Sequence, residues 1–308
     1  MPRTGHPLFR VFPVSCVFPA RVDSDMIVVG VGRMEICSYD DTEALSEAVD
    51  VIRAGGVVGT HFGTVFGLLV DGSHAGVADE IMSIKGAARG HKPLAVAARP
   101  GRLVELIDVA SLPHEVRRLT EEPWFADRLA GMVAVRAPAA PQVAIPEHLV
   151  SEVDGRRWVQ VFDPLRMPGA SDLIAAMWAG GVDWVAGTSM NESGQVEIVD
   201  LEEAVDFAER HGLPLLFQPE AMHEASGSLP ILQLHPDDGL LLDRQGIIAH
   251  ADLETATHES IDATQAIPAH YPPMAVPPGL LDGLDPADAT AELLRLLYPL
   301  YRPEPSTA

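Results

Sequence analysis

Val57-Val58-Gly59-Thr60-His61-Phe62-Gly63-Thr64-Val65-Phe66-Gly67-Leu68-Leu69-Val70-Asp71-Gly72 begins the stretch whose reading decides the fold, and Ile84-Lys85-Gly86-Ala87-Ala88-Arg89-Gly90-His91-Lys92-Pro93-Leu94 completes it. Val57 and Val58 start a buried apolar strand, a turn falls around Thr64, and the run to Val70 is a second strand. Val77, Ile81 and Ile84 then recur at helical spacing and predict a helix over residues 76–85. Residues 94–98 form a further short buried strand. Upstream, Leu45, Val49 and Ile52 share one face of a helix over 42–54, with Thr42 as its cap and Gly55-Gly56 as its stop.

Downstream, residues 103–107 and 116–119 mark helices around a loop, and 132–136 is a strand. Residues 138–168 are polar and proline-containing and read as an insertion. A helix over 171–178 precedes the strand Trp184-Val185-Ala186, which carries Gly187-Thr188-Ser189-Met190-Asn191-Glu192-Ser193-Gly194. A helix over 201–209 and a strand pair over 230–234 and 240–248 close the unit. Residues 270–278 are proline-rich, and Asp285 caps a terminal helix with Pro286 in its first turn. Val29-Gly30-Val31-Gly32 lacks the third glycine of a dinucleotide loop and no helix pattern follows, so it reads as a strand turn. The expected organisation is an N-terminal extension (1–41), an α/β domain (42–253, with the insertion near 139–168), and a proline-rich linker with a C-terminal helix (254–308).

At 308 residues the chain is long enough for one sizeable α/β core, and at 47% hydrophobic and 21% charged it is too apolar for a disordered protein. No apolar run is long enough to span a bilayer, and the first 25 residues do not read as a signal peptide. Cys16 and Cys37, the two cysteines, supply neither a disulfide framework nor a four-ligand zinc site, so a cytoplasmic location is expected. The twelve histidines include no helical H-x-x-x-H pair, and no metal site is expected. With 44 acidic and 21 basic residues the net charge is −23, which opposes tight binding to RNA and favours a soluble acidic surface.

Three segments, in order, resemble motifs of the YrdC-like family, best known for L-threonylcarbamoyladenylate synthases. They are His61 to Leu68 against P-T-[DE]-T-x-Y-G-L, Lys85 to Leu94 against K-G-R-P-x-x-x-P-L, and Ser189 to Gly194 against S-A-N-x-S-G. The resemblance covers about two-thirds of the chain. It implies an open, twisted sheet of mixed strand direction, flanked by helices, with a concave cleft. It also implies ATP-dependent formation of a carbamoyl-adenylate from an amino acid and bicarbonate, a nucleotidyl transfer linked to tRNA modification. ATP, with Mg2+ accompanying it, is the implied cofactor.

By the same resemblance, Lys85, Ser189 and Asn191 are the candidate catalytic residues. Arg89, Lys92 and Arg244 join them at the nucleotide, and Phe62, Thr64 and Arg136 contact the substrate, Arg136 through its carboxylate. An ammonium at a helix end and a small hydroxyl, amide and glycine turn at a strand end suit phosphate charge. The departures concentrate elsewhere. Ala87 stands where the family's motif arginine does, and Arg89 could replace it only if a loop one residue longer folds back. Phe62 and Gly63 replace a threonine and an acid, Ala97 a histidine, and Leu229-Pro230-Ile231-Leu232-Gln233 a segment S-T-[IV]-[IV]-D. Loss of buried polar partners forfeits selectivity for a hydroxyl. A synthase with an altered amino-acid pocket, a non-catalytic nucleotide- or small-ligand-binding module, and an RNA-binding protein are the three readings; charge weighs against the last.

Overall fold

The computed structural model describes residues 34–298, except 91, 100–101, 122–130, 165 and 221–225. The described residues form one compact unit. The Val29-Gly30-Val31-Gly32 turn and Cys16 lie outside the described residues.

Described elements follow in the order β1 (Glu35–Ser38), α1 (Thr42–Arg53), β2 (Val58–His61), β3 (Phe66–Asp71), α2 (Val77–Lys85), β4 (Ala95–Ala97), α3 (His114–Glu121), β5 (Ala134–Pro138), β6 (Val150–Val153), β7 (Arg156–Phe162), α4 (Ala170–Ala179), β8 (Val185–Ser189), α5 (Leu201–His211), β9 (Leu215–Gln218), β10 (Ile231–His235), β11 (Gly239–Arg244), α6 (His250–Thr257) and α7 (Pro286–Leu297). The eleven strands form one mixed sheet in the order β1-β9-β2-β3-β8-β4-β7-β5-β10-β11, with β6 paired to β7. Seven described helices flank it, an α/β architecture. Val58, Phe66, Leu68, Leu69, Val70, Val185 and Ala186 are fully buried, so the central strands read as continuous apolar runs rather than alternating ones. No helix among the described residues is long and apolar enough to cross a membrane.

Four local readings are corrected. Asp41, not Thr42, caps α1: its carboxylate accepts from the backbone N–H of Glu43 (2.9 Å) and Ala44 (3.1 Å) from an extended conformation, while Thr42 already lies in the helix. The 139–168 stretch, read as a polar, proline-containing insertion, is built into the sheet and core. It supplies β6 and β7, and β7 pairs with β4, β5 and β6 near the middle of the sheet. Trp158, Val159, Val161 and Phe162 are buried there, an apolar signal that the surrounding prolines obscured. Residues 103–105 form a single 3-10 turn rather than an α-helix. The segment after residue 254 is no free linker: Asp262 and Ile267 bridge to Leu241 and Arg244 of β11, and Leu293, Leu294 and Leu297 lie in the common core.

Candidate functional site

The antiparallel β3–β8 pairing sets Gly67 beside Ser189 and delivers residues 189–191 to one end of the sheet, where α2 also ends. Lys85 closes α2, and its Nζ donates to the Ser189 carbonyl (2.5 Å) and to Asn191 Oδ1 (2.9 Å). Asn191 Oδ1 also accepts from Ser189 Oγ (2.7 Å), and its Nδ2 donates to the Gln195 carbonyl (2.6 Å), which fixes the amide's orientation. The Ser193 N–H donates to the Lys85 carbonyl at 2.9 Å and ties the helix end to the glycine turn. Lys85 is only 4% exposed. Burial, then the charges of Arg89 and Lys92, lower its pKa to about 7, with Glu197 pulling the other way.

Arg89 does fold back. A 3-10 turn over Ala87–Arg89, between Gly86 and Gly90 at φ of 78° and 57°, carries its guanidinium to Thr188 Oγ1 (3.4 Å), beside the Lys85 cluster. Its Nη2 also donates to the carbonyls of Lys92 (2.9 Å) and Pro93 (3.2 Å), and burial lowers its pKa. The Lys92 side chain stays exposed. Arg244 donates to the Leu229 carbonyl (3.1 Å), and its buried Nε has no partner. Burial lowers its pKa against the pull of Glu197 and Asp243. Arg136 pairs with Asp243 at 3.4 Å and lies 5.8 Å above the Trp158 ring.

The loop after β2 is filled by its own chain. Thr64 Oγ1 donates to the Gly227 carbonyl (2.8 Å), the Gly227 N–H returns the bond to the Thr64 carbonyl (2.9 Å), and Thr64 is 2% exposed. Phe62 meets Phe162 edge to face, 5.7 Å between centroids, and covers Gly67, where a Cβ would come within 2.2 Å of its ring. Only glycine permits that approach. His61 is buried against Phe66, accepts from the Gly63 N–H at 3.2 Å, and is pushed down to a pKa of about 4 by burial; it is a neutral structural imidazole.

Comparison with solved structures gives P. abyssi Sua5 complexed with L-threonine at a TM-score of 0.55 and 18% identity, over 79% of this chain and 69% of that one. A variant of P. abyssi Sua5 aligns at 0.55 and 20%, over 72% of this chain and 63% of that one. E. coli YciO aligns at 0.55 and 17%, over 70% and 96%. The chain has the YrdC-like fold. No protein-family model and no curated protein matches the sequence, and at these identities the likeness is one of fold alone.

On this YrdC-like fold the structure adds residues that sequence reasoning missed. Glu197, 8% exposed, holds His270 Nδ1 with its carboxylate, and the Tyr271 hydroxyl donates to the Glu197 carbonyl (2.9 Å). Burial pushes the Glu197 carboxyl up, but hydrogen bonds from His270, its own backbone and Ser228 outweigh it and leave the pKa below the ordinary value. The Glu197 charge acts on both Lys85 and Arg244 and so couples the two cation groups. The available signal was the imidazole–phenol pair His270-Tyr271 amid prolines. The residues present fit a phosphate-bearing ligand: the buried Lys85 ammonium feels the like charges of Arg89 and Lys92 against the single carboxylate of Glu197, and an anion would stabilise it. No group of three or more metal-ligating side chains occurs among the described residues, so Mg2+ would come held by the nucleotide.

Proposed function

We propose that this YrdC-like protein binds ATP against the Lys85 cluster and uses it to form a carbamoyl-adenylate from bicarbonate and an amino acid other than threonine. The observation that carries the reading is the buried, positively charged cluster of Lys85 and Arg89 on the Ser189–Asn191 strand end. In the reaction a carbamate oxygen attacks the α-phosphorus, a new P–O bond forms, and the bond to pyrophosphate breaks. Lys85, Arg89 and Lys92 would neutralise triphosphate and leaving-group charge, while Ser189 and Asn191 hold the ammonium in place. Arg136 would take the amino-acid carboxylate through its guanidinium. Mg2+ on the nucleotide would supply further charge neutralisation.

Pyrophosphate release, measured with ATP, bicarbonate and a panel of amino acids, tests the reading. Release that needs both an amino acid and bicarbonate is the expected result. ATP binding without any such release would instead favour a non-catalytic nucleotide-binding module. That second reading is supported by the internal satisfaction of Lys85, whose ammonium already has two acceptors.

A further inference from the structure

Ala78, Ile81 and Met82 on α2, Leu94 before β4 and Val150 at the start of β6 line a cavity of about 250 Å³. Ile81, Leu94 and Val150 are buried, so the floor is apolar. The rim is polar and carries Arg89, Lys92, Glu147 and His148. Arg89 donates to the carbonyls of Lys92 (2.9 Å) and Pro93 (3.2 Å) and so fixes the loop. The Lys92 side chain stays exposed, and no ion pair among the described residues takes its ammonium. The Glu147 carboxylate faces Arg157 at 3.7 Å, which partly offsets its charge. His148 Nε2 donates to the Gly72 carbonyl (2.5 Å) and leaves Nδ1 without a partner among the described residues.

The sheet separates this cavity from the face that carries Phe62. Side chains alternate between faces along a strand. Ala95 pairs with Gly187 and Ala97 with Phe162, so Gly187, Ser189 and Phe162 share the face covered by Phe62. Thr188 and Val159 project from the opposite one. Val150 pairs with Val159, and Arg89 reaches Thr188 Oγ1 (3.4 Å), which puts the cavity on that opposite face. Lys85, Ser189 and Asn191 do not line it. Its outer wall, residues 147–150, belongs to the insertion and lies outside every motif that the resemblance uses.

We propose that this cavity is a second ligand site, beside the nucleotide cluster, for a small carboxylic acid bearing one aromatic or branched apolar group. An apolar cavity of about 150 Å³ takes a benzene; the larger volume here leaves room for a ring and a short carboxylate arm. The ring would lie on Ile81, Met82 and Leu94. The carboxylate would meet Lys92 at the rim, with His148 Nδ1 as a second donor when the imidazole is protonated. Such a site, apolar with a few placed polar groups, has the usual make-up of a small-molecule pocket. It stands whether or not the protein is a synthase.

Para-fluorophenylacetate is the probe, followed by fluorine NMR and calorimetry on the full chain. Para-fluorophenethylamine and para-fluorobenzyl alcohol serve as its cationic and neutral counterparts. The acid should bind about 2–5-fold more tightly than the alcohol at low salt, the range of an exposed ion pair, and the amine most weakly. Lys92→Gln should bring acid and alcohol together. Ala78→Phe puts a ring into the cavity and should weaken the acid about tenfold or more, the scale of burying an aromatic side chain. Ala78→Leu fills less, should act in the same direction, and stays informative if the phenylalanine variant unfolds. Because Arg89 and Lys92 border both sites, excess ATP should weaken the acid by no more than about fivefold. Full competition with ATP would make the cavity an arm of the nucleotide site and overturn the proposal. Absence of saturable acid binding at millimolar concentration, tighter binding of the amine, or binding unchanged in the leucine variant and any folded phenylalanine variant overturns it as well.

Discussion

Lys85 should make nucleotide affinity depend on pH in a window where ordinary lysines are silent. Its pKa falls from 10.5 to about 7 in the ligand-free protein, because burial and two neighbouring cations disfavour the ammonium. An anionic ligand stabilises the ammonium, so binding raises this pKa and takes up a proton. Affinity is therefore full below pH 7 and falls as pH rises through 7 toward the pKa of the bound state. Phosphate stays ionised above pH 7 and does not confound the window. If the ligand restored the ordinary value, the difference of about 3.5 units would correspond to about 5 kcal/mol in all, an upper bound because a bound site stays partly desolvated. The local slope approaches a tenfold loss of affinity per pH unit. Calorimetric titration of ATP from pH 6 to 9 at constant ionic strength reads it directly. Lys85→Ala should weaken binding at pH 6.5 by about 1–3 kcal/mol, the scale of a charge-assisted contact, and abolish the slope. A flat wild-type profile, or a slope that persists in the alanine variant, refutes the assignment. Without ligand the unfolded chain holds the extra proton between pH 7 and 10.5, so wild-type stability should gain from Lys85 as pH rises through that window.

L-threonine should be a poor substrate, because Phe62, Ala97 and Leu229 stand where the resembled family has polar groups; mass spectrometry showing abundant threonylcarbamoyl-adenylate at ordinary threonine concentrations would defeat this. Tight binding to tRNA or double-stranded RNA is not expected at about 150 mM salt, where screening acts within about 8 Å; sub-micromolar anisotropy binding that falls steeply with salt would contradict the reading from net charge. Glu197 has a lowered pKa, so its contribution to stability should be present above its unfolded value near 4.5 and be lost as pH falls through the folded value; Glu197→Gln should flatten the acid limb of a melting-temperature profile, and an unchanged limb would show that the carboxylate does not matter there. Asp285 accepts from the N–H groups of Ala287 (2.9 Å) and Asp288 (3.0 Å) at the start of α7, and Asp285→Ala should cost about 0.5–2 kcal/mol in denaturant unfolding.

The fold was legible where local pattern and final structure coincide. Residues 57–94 carry their strand, turn, strand and helix in plain periodicity, and Asp285-Pro286 announced α7. β7 was hidden because Pro138, Pro141, Pro146, Pro164 and Pro168 punctuate its surroundings and mask seven residues of strand. The return of Arg89 depends on two positive-φ glycines, and a sequence names the glycines without naming their angles. The Glu197–His270 and Gly63–Tyr298 contacts join residues far apart in the chain, and no local spacing encodes them.

β1 has a consequence for how the protein is made. Glu35 pairs with Leu215, a separation of 215 − 35 = 180 positions, and among the described residues β9 is the only strand beside β1. At about 5–20 residues per second, a nascent β1 waits roughly 10–40 s for its partner to be synthesised. Through that interval β2 also lacks its parallel neighbour, which is again β9, and Ile36 of β1 stays 45% exposed even in the finished sheet. The described sheet therefore cannot be completed in chain order: β1, its first described strand, finds its partner only after two-thirds of the chain has been made, and a pause in translation before residue 215 would lengthen the time it waits.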